Sequence, residues 1–257
     1  MSTTVLLFGF IAGATILLGL PIARLRHPAP TLRILLNAGA VGVLIFLIWD
    51  VLSHAWEPID AALIRRPLPA SLWLDGGLLV LGLVVGLLGV TIFEMRLLRR
   101  SGPSELAPRQ LSLLIAVGIG LHNFAEGLAI GQSAASGELA LAGVLVVGFA
   151  LHNATEGFGI VAPLTGEPER PGWGFLLLLG LIGGGPTLVG TVVGSLVVSE
   201  PLAVVFLALA AGSILYVVIT LLGMLGRERR TGLVAGGILV GLIAGFVTDA
   251  ILTAGGA

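Results

Sequence analysis

Hydrophobic positions in this chain fall into long blocks, and polar positions crowd into the short segments between them. The apolar runs cover residues 3–23, 32–54, 72–96, 109–134, 138–163, 173–198, 201–224 and 232–255. A bilayer core about 30 Å thick is crossed by about 20 helical residues at 1.5 Å each. The pattern therefore predicts an all-α membrane protein with eight transmembrane helices. Breakers sit where turns are required. Pro28 and Pro30 follow the first run, and Pro58, Pro67 and Pro69 follow the second. RRSGPSELAPRQ (99–110) separates the third from the fourth, and GEPERPG (166–172) the fifth from the sixth. No connection is long enough for a soluble domain, so residues 1–257 read as a single transmembrane domain.

Composition supports this pattern. Hydrophobic residues make up 56% of the chain and charged residues only 11%, too few to coat a soluble domain of this size. The first run, MSTTVLLFGFIAGATILLGL, has no basic flank and is longer than the apolar core of a signal peptide, so it reads as a membrane span. There is no cysteine, which excludes disulfides and thiolate metal ligands. No basic stripe suggests nucleic-acid binding.

All 13 basic residues are arginines, and they are unevenly placed. The connections after spans 1, 3, 5 and 7 and their flanks hold Arg24, Arg26, Arg33, Arg96, Arg99, Arg100, Arg109, Arg170, Arg227, Arg229 and Arg230. The opposite side holds only Arg65 and Arg66. The positive-inside rule puts the first set in the cytoplasm and both termini outside it, as in a multi-pass plasma-membrane protein. His27 beside Arg24 and Arg26 reads as a solvated helix end.

Glycines at four-residue spacing (Gly82 and Gly86; Gly190 and Gly194; Gly237, Gly241 and Gly245) predict close helix packing, within the chain or across a dimer face. Gly183-Gly184-Gly185-Pro186 is expected to weaken or kink the sixth helix and free backbone carbonyls.

Two runs carry ionisable residues near their centres. The fourth contains LHNFAEG and the fifth LHNATEG. An ionisable group at mid-membrane costs roughly 2.5–3.5 kcal/mol on insertion scales, so these groups need a compensating partner. His122 and Glu126 are four apart and share a helical face, as do His152 and Glu156. Asn123 and Asn153 stand three residues before each glutamate, on the flank of that face. Only about three residues join the two spans, so they are expected to be antiparallel neighbours with their polar faces meeting. The metal site is thus expected between helices 4 and 5. Two carboxylates match the charge of one divalent ion, and imidazole nitrogen with carboxylate oxygen suits Zn²⁺, Fe²⁺, Mn²⁺, Co²⁺ or Ni²⁺. Cu⁺ would want sulfur, and the chain has three methionines.

Three other classes use similar residues. A metal-independent, proton-coupled carrier could use the His/Glu pairs as a relay. An intramembrane metalloprotease would need HExxH, whereas Asn123 and Asn153 occupy the position of that glutamate. A di-iron carboxylate enzyme favours ExxH spacing and more carboxylates.

At LHNFAEG and LHNATEG the chain resembles the ZIP family of Zrt/Irt-like metal transporters, of the prokaryotic type. The resemblance implies eight membrane helices with extracellular termini, and a transported metal bound by the fourth- and fifth-helix motifs. It implies transport of divalent transition metals toward the cytoplasm, Zn²⁺ first and Fe²⁺, Mn²⁺ or Cd²⁺ after it. The metal is then substrate and not cofactor, the chain is not an enzyme, and a homodimer is implied. His122, Asn123, Glu126, His152, Asn153 and Glu156 become the metal ligands. Ala125 and Thr155 replace the family's proline before glutamate. Gly185 stands before Pro186 where a family glutamate often helps bind a second metal. One strong metal position is therefore expected, with Thr187 or a freed carbonyl as the available substitute at a second. The loop between helices 3 and 4 lacks the histidines common in the family.

Further polar positions mark an access route. Asp50, His54 and Glu57 stand at i, i+4 and i+7 near the outer end of span two, where they either collect cations or form a polar helix end. Asp249 in the last span either lines the outer cavity or pairs with a polar neighbour. Gln132 and Ser133 lie beyond the fourth-helix motif, toward the outside.

Overall fold

The computed structural model describes residues 2–25, 30–65, 67–101, 107–165, 167–197 and 199–254. The described residues are helical or in turns, and eight helical segments are long and apolar enough to cross a membrane. The helices are α1 (Thr3–Ala14), α2 (Pro30–Leu63), α3 (Ala70–Ser101), α4 (Pro108–Ala135), α5 (Leu139–Val161), α6 (Trp173–Gly194), α7 (Glu200–Leu225) and α8 (Thr231–Ala254). Arg26, His27, Pro28 and Arg66 lie outside the described residues.

Three helices depart from the sequence expectation, each for a local reason. The first span is not one α-helix: α1 gives way to 3-10 turns over Thr15–Leu18 and Leu20–Arg24. The Thr15 hydroxyl donates to the Ala12 carbonyl at 2.6 Å, and Pro21 cannot supply an N–H. α2 runs 34 residues, with Pro58 inside it, so Asp50, His54 and Glu57 all stand on continuous helix. One missing N–H costs a hydrogen bond without ending a helix packed on its neighbours. α6 stops at Gly194, where Ser195 turns its hydroxyl onto the Val192 carbonyl at 2.7 Å. Its Gly183–Pro186 run stays helical.

The helices sort into two packed groups. α4 lies along α6, and α1 and α5 complete that group; α2 lies along α8, α3 along α7, and α2 also packs on α7. Small residues let the backbones meet, as expected where lipid gives no hydrophobic drive for association. A side chain on Gly127 would run into the Thr187 carbonyl, and one on Gly190 or Gly194 into the backbone of Phe124 or Leu128. Gly13 and Gly184 each face the other's carbonyl where α1 crosses α6, and Gly157 sits on Ile16 and Gly19. In the second group Gly82 and Gly86 meet α7, while Gly237 and Gly241 meet Ala38 and Gly39 of α2 and Gly245 meets the Phe46 ring. The spaced glycines thus serve packing within the chain.

The seam between the groups runs chiefly along α4–α7 and α2–α5. There the Ser213 hydroxyl donates to the Gly118 carbonyl at 2.9 Å, and the Phe124 and Phe206 rings pack 5.0 Å apart. At the Arg-rich face Arg33, near the start of α2, donates to the Thr165 carbonyl after α5 at 3.3 Å and pairs with Glu228 after α7 at 2.8 Å. Arg24 stacks over Trp173 at 4.8 Å. These contacts bring the ends of spans 1, 5 and 7 to one face.

Candidate metal centre

α4 and α5 each present one copy of the motif to the same interior point. The four-residue spacing puts His122 directly against Glu126, with Nε2 3.0 Å from Oε1. His152 of α5 reaches across, its Nε2 in contact with the same Glu126 oxygen. Glu156 stands on the other side of His122, its Oε1 3.7 Å from Nε2. Ligand atoms of His122, Glu126 and His152 all lie within 4.8 Å of one another, close enough to share one ion. The two imidazole rings are 6.3 Å apart, and Phe149 packs on His152 at 5.5 Å.

Burial makes this cluster costly without a cation. Glu126 and Glu156 are 5% and 1% exposed. Glu126 Oε2 and both oxygens of Glu156 have no hydrogen-bond partner among the described residues. Two carboxylates set against imidazole nitrogens in a low-dielectric interior form a strong cation attractor. The donor set is two nitrogens and two carboxylates, as a borderline divalent metal favours.

The asparagines behave differently from the histidines beside them. The Asn123 amide interacts with the Glu156 carboxylate, and its Nδ2 also donates to the Gly183 carbonyl of α6 at 2.9 Å. Asn153 Nδ2 donates to the Ala12 carbonyl of α1 at 3.0 Å. Both residues are fully buried, and both Oδ1 atoms have no hydrogen-bond partner among the described residues. In membrane interiors such bonds contribute about 0.6 kcal/mol each, and up to about 1.7. The carbonyl that Asn123 engages lies in the glycine run beside Pro186, so the expected polar role of that run is met without a break in the helix.

A cavity of about 370 Å³ leads to the cluster from the Arg-poor ends of α2 and α8. Asp50, His54, Asp249, His122 and Glu126 all line it. Asp50 and His54 stand 3.6 Å apart on α2. Glu57 and Gln132 are not among its lining residues, and the Gln132 amide reaches the Val197 carbonyl at 3.5 Å. Thr187 is fully buried between α1, α4 and α6, its hydroxyl without a partner among the described residues. A side chain on Gly185 would meet nothing within 4 Å, so that position faces away from the packed helices. Toward the Arg-rich face the cluster is sealed by buried apolar residues, Leu114, Ile115 and Ile119 of α4, Ile160 of α5 and Val217 and Leu221 of α7 among them.

An eight-span helical fold with a buried His/Glu cluster at the foot of a one-sided cavity is the architecture of a membrane protein that could hold a metal ion within the bilayer. Residues 98–252 match the family described as ZIP zinc transporter, and this chain belongs to that family. The match covers both motifs and every helix from α4 through most of α8. Membership makes the chain a multi-pass membrane protein of divalent metal transport, with the metal as the transported species. The family is one of transporters and not of enzymes. No curated protein matches the chain.

Proposed function

We propose that this protein carries Zn²⁺, and with lower preference Fe²⁺, Mn²⁺ or Cd²⁺, across the plasma membrane into the cytoplasm. The observation that carries the reading is the convergence of His122, Glu126 and His152, with Glu156 adjacent, from two copies of one motif on two helices. The ion is held by these four side chains, and the Oδ1 atoms of Asn123 and Asn153 are the remaining free donors near it. The Arg distribution favours a cytoplasmic location for the Arg-rich face and outside termini. The cavity lined by Asp50, His54 and Asp249 is then the access route from outside, and the apolar seal beneath the cluster is the closed inner gate. Residues 1–257 act as one transporter domain, as a homodimer by family resemblance.

Transport follows from movement at the seam. An ion in the cluster neutralises the two glutamates, so the group carrying it can shift against α2, α3, α7 and α8 with no net charge left exposed to apolar neighbours. Opening the apolar seal then gives the ion to cytoplasmic water.

The test is zinc uptake into proteoliposomes over a panel of divalent metals, with and without a pH gradient. Wild type should take up Zn²⁺, and Glu126→Gln should abolish uptake while still inserting. Wild-type-like uptake by that variant would sink the metal-site reading. Solute movement indifferent to chelators would favour the proton-relay carrier.

A further inference from the structure

The apolar seal beneath the cluster ends at a second cavity, of about 200 Å³, on the Arg-rich face. Ile34, Ala162 and Leu225 belong both to the apolar core and to the wall of this cavity. The polar part of the wall is Arg33 and Asn37 of α2, Thr165 and Glu167 after α5, and Glu228 after α7. Arg33 and Asn37 are four apart, so one helical face carries both into the cavity. Arg33 is satisfied there, by Glu228 at 2.8 Å and by the Thr165 carbonyl at 3.3 Å. Asn37 is not. It is 8% exposed, and its amide has no hydrogen-bond partner among the described residues. A buried amide left unpaired is costly unless something in the cavity meets it.

The Arg33 guanidinium marks this cavity as one built around a cation. A carboxylate and a carbonyl grip it, while a second carboxylate, Glu167, and the unpaired amide of Asn37 line the same space. The grip is exchangeable. The side chains of Arg33 and Glu228 are 34% and 33% exposed, and a pair so open to water contributes little. A dication draws on both carboxylates at once and competes well with it.

We infer that this cavity is a cation-exchange site on the release side of the transporter, with Arg33 as its resident cation. A divalent ion that passes the seal is taken by Glu167, Glu228, the Asn37 Oδ1 and the Thr165 carbonyl, and it displaces the guanidinium from Glu228 into water. The two carboxylates neutralise the ion, so the exchange leaves no unbalanced charge at the wall. This rests on the transport reading above. Carboxylate, amide and carbonyl oxygens suit Mn²⁺ and Mg²⁺, whereas Zn²⁺ favours a set that includes imidazole. Zn²⁺ therefore passes from a strong site to a weak one and leaves. Arg33 then returns to Glu228 and the Thr165 carbonyl, which clears the site and closes it behind the ion.

Mn²⁺ is the probe, because it suits oxygen donors and broadens the spectrum of a nearby nitroxide. The chain has no cysteine, so Thr231→Cys places a single label at the exposed start of α8, close in sequence to Glu228. The full chain in detergent is first given one equivalent of Zn²⁺ to fill the His/Glu cluster and is then titrated with Mn²⁺. Wild type should show saturable broadening. Glu228→Gln and Asn37→Leu should each weaken Mn²⁺ binding about tenfold, the lower end of what groups around a metal contribute. Arg33→Gln removes the competitor and should tighten binding on the same scale. Asn37→Asp keeps the shape of the side chain, adds an anionic oxygen and should tighten it too, which guards against misreading a poorly folded Asn37→Leu. Broadening that is absent in wild type, or indifferent to Glu228→Gln and Asn37→Asp, overturns the exchange site, and so does Arg33→Gln binding no tighter than wild type. Uptake gives the second readout. Arg33→Gln should lower the maximal rate of zinc uptake without raising KM, because release is slowed and entry is not. An unchanged rate would take the site off the release route. Failure of wild type to take up Zn²⁺ would instead remove the transport reading and leave the Mn²⁺ result standing, which keeps the two failures distinct.

Discussion

At the scale of single residues, the cluster's chemistry depends on which neighbour each side chain has. Glu126 is shared by two histidines, whereas Glu156 meets the far side of His122 and the Asn123 amide. Loss of Glu126 therefore leaves two imidazoles without their common partner, while loss of Glu156 leaves a three-ligand group intact. Outer-shell partners of metal ligands are worth about 10- to 100-fold in affinity. Glu126→Gln should exceed that range in Zn²⁺ binding measured by titration calorimetry, and Glu156→Gln should weaken binding less. Equal losses in the two would contradict the asymmetry. His122 and Glu126 were legible in the sequence because helical spacing alone makes them neighbours. That Glu126 and not Glu156 would be the bridging group was not, because it depends on the rotation of α5 against α4.

At the scale of helices, the packing surfaces are backbone against backbone. Gly127 shows the consequence most directly, since any side chain there meets the Thr187 carbonyl and the Thr191 nitrogen. Gly127→Val should cost about 1–3 kcal/mol or more by overpacking, read as a lower unfolding temperature in detergent. Gly185→Ala is the contrasting case: its new methyl meets nothing within 4 Å, and alanine is the better helix former by up to about 1 kcal/mol. It should leave the unfolding temperature equal or higher, and a large loss would show that Gly185 is packed after all. The four-residue glycine spacing announced close packing in advance. It did not say that α4 would lie on α6 instead of mainly on α5, because short loops fix only which helices follow one another. The same limit hid the asparagine ties, whose partners stand 60 and 141 positions away and are main-chain atoms of residues with no polar side chain.

At the scale of the whole molecule, the cavity is open on one side of the cluster and sealed on the other. A single cysteine in place of Ala129, which lines the cavity, should react with a membrane-impermeant thiol reagent added outside cells, and Zn²⁺ should slow that reaction. Reaction only from the cytoplasmic side would reverse the orientation drawn from the arginines. Acid should reduce Zn²⁺ binding, because protons compete for the imidazole nitrogens and the carboxylates that must be free to ligate the metal. A titration from neutral to acid pH in detergent checks the sign, and binding that strengthens on acidification would count against a His/Glu site.

The sequence by itself determined the eight spans, because an apolar run of sufficient length has no other stable place than the bilayer. It also put His122 with Glu126, and His152 with Glu156, on shared helical faces, because residues four apart on a helix must share a face. Tertiary structure alone decided the rest. It joined Asp50, His54 and Asp249 to the cluster through one cavity, made Glu126 the common partner of two histidines, and set the asparagine amides on distant carbonyls. These depend on helix rotation and crossing, which small residues permit at many points and which only the packed molecule selects.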